Sequence, residues 1–320
     1  MGLPDILNQP LALPVVASPM FIASGPELVI AQCKAGIIGA FPALNARPAS
    51  ELKNWLTRID AELADFKAAH PDLPVGPYAV NQIVHRSNVR LEEDMATIVA
   101  HRVPIVITSL GARPEINEAV HSYGGIVLHD VINNEFAHKA IDKGADGLIA
   151  VAAGAGGHAG TQSPFALLQE IRSWFDGPLL LSGAIAHGRS ILAAQAAGAD
   201  FAYVGSAFLA TEESNNEPGY KQMVADSSAS DVVYSNLFTG VHGNYLRGSI
   251  AAAGLDPDDL PVSDPSAMNF GAGGSSDPKA WKDIWGAGQG VGAITSVVPA
   301  AELIARLTAE YEQARARLIA

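Results

Sequence analysis

Eight short apolar runs recur through the first two thirds of this chain, separated by stretches with helical spacing. They are Val15-Val-Ala17, Ile37-Ile-Gly-Ala-Phe41, Tyr78-Ala-Val-Asn81, Val103-Pro-Ile-Val-Ile-Thr108, Gly125-Ile-Val-Leu128, Ala145-Asp-Gly-Leu-Ile-Ala-Val151, Leu179-Leu-Leu181 and Phe201-Ala-Tyr-Val204. Strands that are apolar throughout, rather than alternating, are covered on both faces, as in a parallel sheet under helices. The segment Val89 to His101 shows the other period, with Leu91, Met95, Ile98 and Val99 on one helical face. The joints repeat as well. Lys34-Ala-Gly36, Lys143-Gly-Ala-Asp146 and Ala197-Gly-Ala-Asp200 each close a helix just before a strand, with glycine as a left-handed cap. Eight strand–helix units in about 200 residues match a (β/α)8 TIM barrel in count and length. An open doubly wound sheet is the alternative, but the dinucleotide fingerprint expected after its first strand is absent.

Residues 207 to about 297 break the rhythm. They hold the acidic turn Glu212-Glu-Ser-Asn-Asn-Glu217 and a Gly/Ser/Asp/Pro-rich stretch from Asp256 to Pro278. The expected division is a barrel over residues 1–210, an insertion or cap over 211–297 at the barrel mouth, and a C-terminal helix within 298–320 that completes the barrel. Phe270, Trp281 and Trp285 give the insertion aromatic side chains to pack with; the alternative is a surface loop without fixed structure.

The chain is 48% hydrophobic and 17% charged, ample for a large core. Its formal charge is −13 and it has no basic run, so nucleic acid is not an expected partner. The single cysteine, Cys33, permits no intrachain disulfide and suits a reducing cytosol. It lies in a helix-like segment and reads as a small buried hydrophobe. No signal peptide, myristoylation site or membrane-length apolar segment is visible, so the expected location is cytoplasmic, with homo-oligomerisation left open.

In such a barrel the chemistry lies at the C-terminal ends of the strands. Small and polar residues collect there: Ser18-Pro-Met20, Asn45, Asn81-Gln82, Ser109, His129-Asp130, the loop from Gly154 to His158, Ser182-Gly183 and Gly205-Ser206. Two places stand out. The sixth run opens into Gly154-Ala-Gly-Gly-His-Ala-Gly160, where glycines let a ligand approach the backbone and one histidine can move a proton near neutral pH. Gly183 and Gly205-Ser206 follow the seventh and eighth runs, where a phosphate is commonly cradled by backbone N–H groups. Ser206 adds a hydroxyl. The histidines show no metal-ligand spacing, so no metal is expected.

These pieces resemble the nitronate monooxygenases, FMN-dependent (β/α)8 barrels once called 2-nitropropane dioxygenases. The resemblance rests on Ala17-Ser-Pro-Met20, Asn81-Gln82, Gly147-Leu-Ile-Ala-Val through Gly156-Gly-His-Ala-Gly160, Leu181-Ser-Gly-Ala-Ile185, Gly198 through Phe208, and Trp285-Gly-Ala-Gly-Gln-Gly290. It implies that His158 is the catalytic residue and that FMN is the cofactor. Ala17, Ser18, Pro19 and Met20 would border the flavin ring, and Asn81 or Gln82 would touch the ring or ribityl chain. Gly156 and Gly157 would pass near it, and Ser182, Gly183, Gly205 and Ser206 would hold ribityl and phosphate. Gly288 and Gln289 would close over the cofactor. Relatives often have a second glycine where this chain has Ala184. They often carry lysine or serine at the ring-side position of the fifth strand, which here falls on His129 or Asp130. The expected substrates are a nitronate or nitroalkane and O2. The alternatives are an NAD(P)H-dependent quinone or enoyl-thioester reductase of the same superfamily, and a barrel that binds FMN or another phosphate ligand without catalysis.

Overall fold

The computed structural model describes residues 2–263 and 282–319, so Phe270 and Trp281 lie outside the described residues. In chain order the elements are β1 (Val15–Ala17), α1 (Pro26–Lys34), β2 (Gly39–Pro42), α2 (Glu51–Ala69), β3 (Tyr78–Ile83), α3 (Leu91–His101), β4 (Ile105–Ser109), α4 (Pro114–His121), β5 (Ile126–Val131), α5 (Asn134–Asp142), β6 (Gly147–Val151), β7 (Gly157–His158), α6 (Pro164–Arg172), β8 (Leu179–Ser182), α7 (Gly188–Ala196) and β9 (Phe201–Val204). They continue with α8 (Ser206–Leu209), α9 (Pro218–Asp226), β10 (Val232–Ser235), β11 (Gly243–Leu246), α10 (Arg247–Ala252) and α11 (Ala300–Ile319).

Each of the eight apolar runs supplies a strand of one parallel sheet, ordered β1-β9-β8-β6-β5-β4-β3-β2. The sheet closes on itself. The Ala17 N–H donates to the Ile38 carbonyl (2.8 Å) and the Ile38 N–H to that of Val15 (3.1 Å). This is a (β/α)8 TIM barrel. Inside it, Val16, Ile38, Ile107, Leu128, Leu180 and Phe201 form one wholly or nearly buried cluster, joined by Leu7 from the segment before β1. The outward faces of the strands pack on the helices, as Leu148, Ala150 and Leu179 do against Leu167, Leu168 and Ile191. The three expected glycine caps are in the left-handed region, with φ of +85° at Gly36, +93° at Gly144 and +109° at Gly198.

Side chains alternate across a strand, so the inward rows continue upward to polar tips. Asn81 follows Ala79, Ser109 follows Ile107, Asp130 follows Leu128, Ser182 follows Leu180, and Tyr203 follows Phe201. The neighbours Gln82, Thr108 and His129 sit in register on the outward face. Helix α11 buries Leu303, Ile304 and Leu307 and packs against α7 and α1, the place of an eighth outer helix.

A second, antiparallel sheet was not evident from the sequence. Its order is β10-β11-β7, and its edge strand β7 belongs to the glycine loop after β6. Gly243 pairs with His158 and Asn244 with Gly157. The segment beyond β9 is thus stitched to the top of the barrel by a backbone ladder.

Candidate active site

A cavity of about 1130 Å3 opens over the C-terminal ends of the barrel strands. Ligand cavities usually hold roughly 300–1,000 Å3, so this one has room for a cofactor and a second small molecule together. Its lining brings together Ser18, Pro19, Met20, Asn81, Gly156, Gly157, His158, Ser182, Gly183, Gly205, Ser206 and Gly288. Three expected residues do not line it. Ala17 is fully buried, with its side chain on the helix side of β1. Gln82 is fully buried on the outward face of β3, because Asn81 takes the inward position. Gln289 turns its N–H to the Gly154 carbonyl (2.9 Å) beside the cavity wall.

His129 borders the cavity, but its imidazole is occupied elsewhere: Nδ1 bonds the Thr108 hydroxyl at 2.6 Å. Burial pushes its pKa down to about 4, with the charge of Lys143 adding to the effect. The inward position of β5 belongs to Asp130 instead. This has a consequence for acid stability. His129 and His158 are both lowered from 6.5 to about 4 by burial, so folding excludes their protons. Their contribution is complete above pH 6.5 and is lost as the pH falls through 4. At about 1.4 kcal/mol per pKa unit, each is worth up to roughly 3 kcal/mol. Urea unfolding at pH 7, 5 and 4 should therefore show a steep acid loss that His129→Gln makes shallower. Parallel curves for the two proteins would show that His129 is not buried in its neutral form.

His158 is held by its neighbours rather than by its glycines. Gly157, at φ +67°, turns the loop into the ladder with β11. The His158 Nε2 lies 3.0 Å from Thr239 Oγ1, and Thr239 gives its one hydroxyl proton to the Val241 carbonyl (3.0 Å). In the tautomer that keeps this bond, the hydroxyl accepts from Nε2–H and Nδ1 is the basic nitrogen of the neutral ring. Nothing near Thr239 in the sequence announces this role; it stands 81 positions from the histidine it orients.

The cavity wall opposite is built from backbone. Among the described residues, no backbone carbonyl accepts from the N–H groups of Gly183, Gly205 or Ser206, and no side chain caps α8. Ser206 Oγ accepts from the Gly288 N–H (2.8 Å), leaving its own proton to donate. A Cβ on Gly183 would lie 2.7 Å from the Ala153 carbonyl oxygen, so only glycine fits there. Ala184 adopts φ +55° and donates to the Gly154 carbonyl (3.2 Å), so it keeps a turn that favours glycine. The strap from Trp285 to Gln289 is pinned between β11 and the glycine loop. Leu246 N–H donates to the Trp285 carbonyl (2.7 Å), and Asn244 Nδ2 reaches the Ala155 carbonyl (2.6 Å). Tyr220 stacks on Trp285 with centroids 4.9 Å apart and bonds the Gly286 carbonyl.

The sign of charge at the mouth is opposite to that of the chain. Among the described residues, Arg47, Lys139, Lys143 and Lys282 border the cavity, against one carboxylate, Asp130. Among the described residues no group of histidine, cysteine or carboxylate side chains is arranged to hold a metal ion. None of their helices is long and apolar enough to cross a membrane.

A family model described as nitronate monooxygenase matches residues 6–310. A nitronate monooxygenase of Paraburkholderia phytofirmans is 26% identical over 94% of this chain and 92% of its own length. A Mycobacterium tuberculosis protein, Rv1533, is 32% identical over 56% of this chain, and the match spans about half, 48%, of that protein. The fold superposes on a nitroalkane oxidase of Streptomyces ansochromogenes with a TM-score of 0.77 and 24% identity, covering 96% of this chain and 98% of that one.

Proposed function

The chain belongs to the nitronate monooxygenase family, flavin-dependent oxidoreductases, and from that premise we propose that it binds FMN and oxidises alkyl nitronates, and the nitroalkanes that ionise to them, with O2. The observation that carries this reading is His158, a neutral imidazole oriented by Thr239 and facing a cavity whose opposite wall is unpaired backbone N–H. Gly183, Gly205 and Ser206 suit the phosphate. Ser18, Met20, Asn81, Gly156 and Gly157 suit the ring and ribityl chain. The fit rests on the room in the cavity and on glycines where a Cβ would intrude, not on charge.

A bound flavin supplies the electron transfer; the protein binds, orients and moves protons. Nδ1 of His158 takes the α-proton of a neutral nitroalkane, with Thr239 holding the tautomer that leaves this nitrogen basic. Its low pKa keeps it unprotonated across the neutral range. A nitronate arrives already anionic, and the basic mouth favours it. Residues 211–297 are proposed to narrow that mouth and so to bear on substrate choice: Phe238, Thr239, Val241 and Gly286 to Gly288 all border the cavity.

The test is direct. The purified protein is denatured and the released flavin identified, and oxygen uptake is followed on adding a nitronate. FMN and nitronate-dependent uptake are expected. Recovery of FAD, or no flavin after reconstitution with FMN, would overturn the cofactor assignment. Rapid anaerobic reduction by NADH without nitronate turnover would move the protein to the reductases.

A further inference from the structure

The loop after β1 makes a tighter turn than its sequence favours. The Ala23 N–H donates to the Phe21 carbonyl (2.8 Å), which closes a γ-turn around Ile22, and Ile22 sits at φ +66°. A γ-turn with positive φ at its centre is the rare and strained form, and a β-branched residue is poorly suited to it. At Gly36, Gly144 and Gly198 the chain meets a left-handed backbone with glycine. Here it keeps isoleucine. The turn is held from outside. Asn45, in the turn after β2, commits its whole amide to this loop. Its Oδ1 accepts from the Ile22 N–H (2.9 Å), and its Nδ2 donates to the carbonyls of Met20 (2.9 Å) and Ser24 (2.8 Å).

Packing does not repay this strain. Ile22 is 39% exposed and belongs to none of the hydrophobic clusters among the described residues, yet it borders the cavity. The same holds for Leu44, Ile83 and Leu110, at the tips of β2, β3 and β4. Leu110 is left-handed as well, at φ +60°. Strands β1 to β4 are consecutive around the closed barrel, so these four side chains form one apolar sector of the rim. Gly183 and Ser206, proposed for the phosphate, follow β8 and β9 instead. Strain kept at a cavity edge without a packing reward points to a ligand contact, and partly wet apolar side chains gain when a ligand covers them.

We infer that Ile22 is a specificity-determining residue, presented to the substrate by Asn45, and that the β1–β4 sector takes the alkyl chain of a nitronate several carbons long. Asn45 is the positioning residue: it touches no substrate and acts through the turn it holds. This rests on the reading of the site as one that oxidises nitronates, and it names the substrates within that class, chain-bearing ones rather than the smallest.

Two series of probes test it. One is kcat/KM for oxygen uptake with the nitronates of nitroethane through 1-nitrohexane, at fixed flavin content. The other is the affinity of the purified protein for straight-chain carboxylates, propanoate through heptanoate, by calorimetry; these are planar anions that carry the same chains. Each added methylene should raise both quantities roughly twofold, about half the effect of full burial, and so more than about tenfold over either series. Ile22→Gly should flatten both gradients to less than about threefold, whereas Ile22→Leu should keep them. Asn45→Ala should flatten them with Ile22 still in place. Ile22→Gly should not lower Tm, because glycine suits the turn. A gradient absent from the wild type, or kept in Ile22→Gly, would overturn the inference. So would a loss of flavin in Ile22→Gly, which would set Ile22 against the cofactor, or a Tm lower by several degrees, which would make it a core residue. Should Asn45→Ala fail to fold, Ile22→Gly decides. A carboxylate gradient that Ile22→Gly abolishes, in a protein that oxidises no nitronate, would defeat the nitronate reading alone. Nitronate turnover indifferent to chain length would defeat this inference alone.

Discussion

His158→Asn is expected to keep FMN bound and to lower turnover of neutral nitroalkanes by about 10²–10⁴-fold, the usual worth of a positioned proton-transfer group. Asparagine ends at the δ position and gives up the Nε2 bond to Thr239, but the backbone ladder with Gly243 does not depend on the side chain, so the loop geometry should survive. What it removes is the basic nitrogen. The loss on preformed nitronates should therefore be smaller. Equal losses on both substrates would assign His158 to binding or to electrostatic stabilisation of the anion instead. Steady-state oxygen uptake with each substrate, at fixed flavin content, separates the cases. Wild-type rates on both would end the proposal. Thr239→Val probes the same point from behind: it leaves the imidazole but frees its tautomer.

Gly288→Val is expected to empty the site and to destabilise the fold. A Cβ at Gly288 would stand 2.5 Å from the Gly154 carbonyl oxygen and 2.8 Å from the Gly156 nitrogen. Both are backbone atoms, which cannot swing aside as a side chain can. Overpacking of this kind costs about 1–3 kcal/mol and sometimes more. The strap or the glycine loop must move, and each carries part of the proposed flavin pocket. The flavin-to-protein ratio should drop several-fold and Tm should fall by several degrees. Gly219→Ala is the matched control, since its Cβ meets nothing closer than the Trp285 ring at 3.6 Å. Full flavin loading and an unchanged Tm in Gly288→Val would show that the strap is not a wall of the site.

The barrel was legible because a strand covered on both faces is written as an unbroken apolar run, and eight such runs leave few architectures. The same property hid part of the site. A run without alternation does not reveal which of two adjacent tip residues faces inward, so Asn81 or Gln82, and His129 or Asp130, stayed open until the register was known. In both pairs the inward residue is the one two positions beyond a side chain of the barrel interior, Ala79 or Leu128, whereas Gln82 and His129 follow Val80 and Val127 of the helix-side core. The second sheet was hidden for another reason. Strand β7 has two residues, too few to carry any period, and its partner β11 lies far along the chain. Thr239 and Asn244 acquire their roles only through that pairing.

The same pairing separates the fate of the site from the fate of the fold. The bonds that complete the site join His158 to Thr239 and Ala155 to Asn244, across 81 and 89 positions, whereas each barrel strand is bonded to strands of its own parallel sheet. Closing such spans carries a chain-entropy cost that grows by about 0.6 kcal/mol with each doubling of length, offset by a short ladder, a few side-chain bonds and the burial of Tyr245, Leu246 and Ala287. Segments so fastened open well before the global transition. On warming, then, this protein should pass through an intact barrel that has already lost its histidine geometry, so that the temperature at which it stops working lies below the temperature at which it melts.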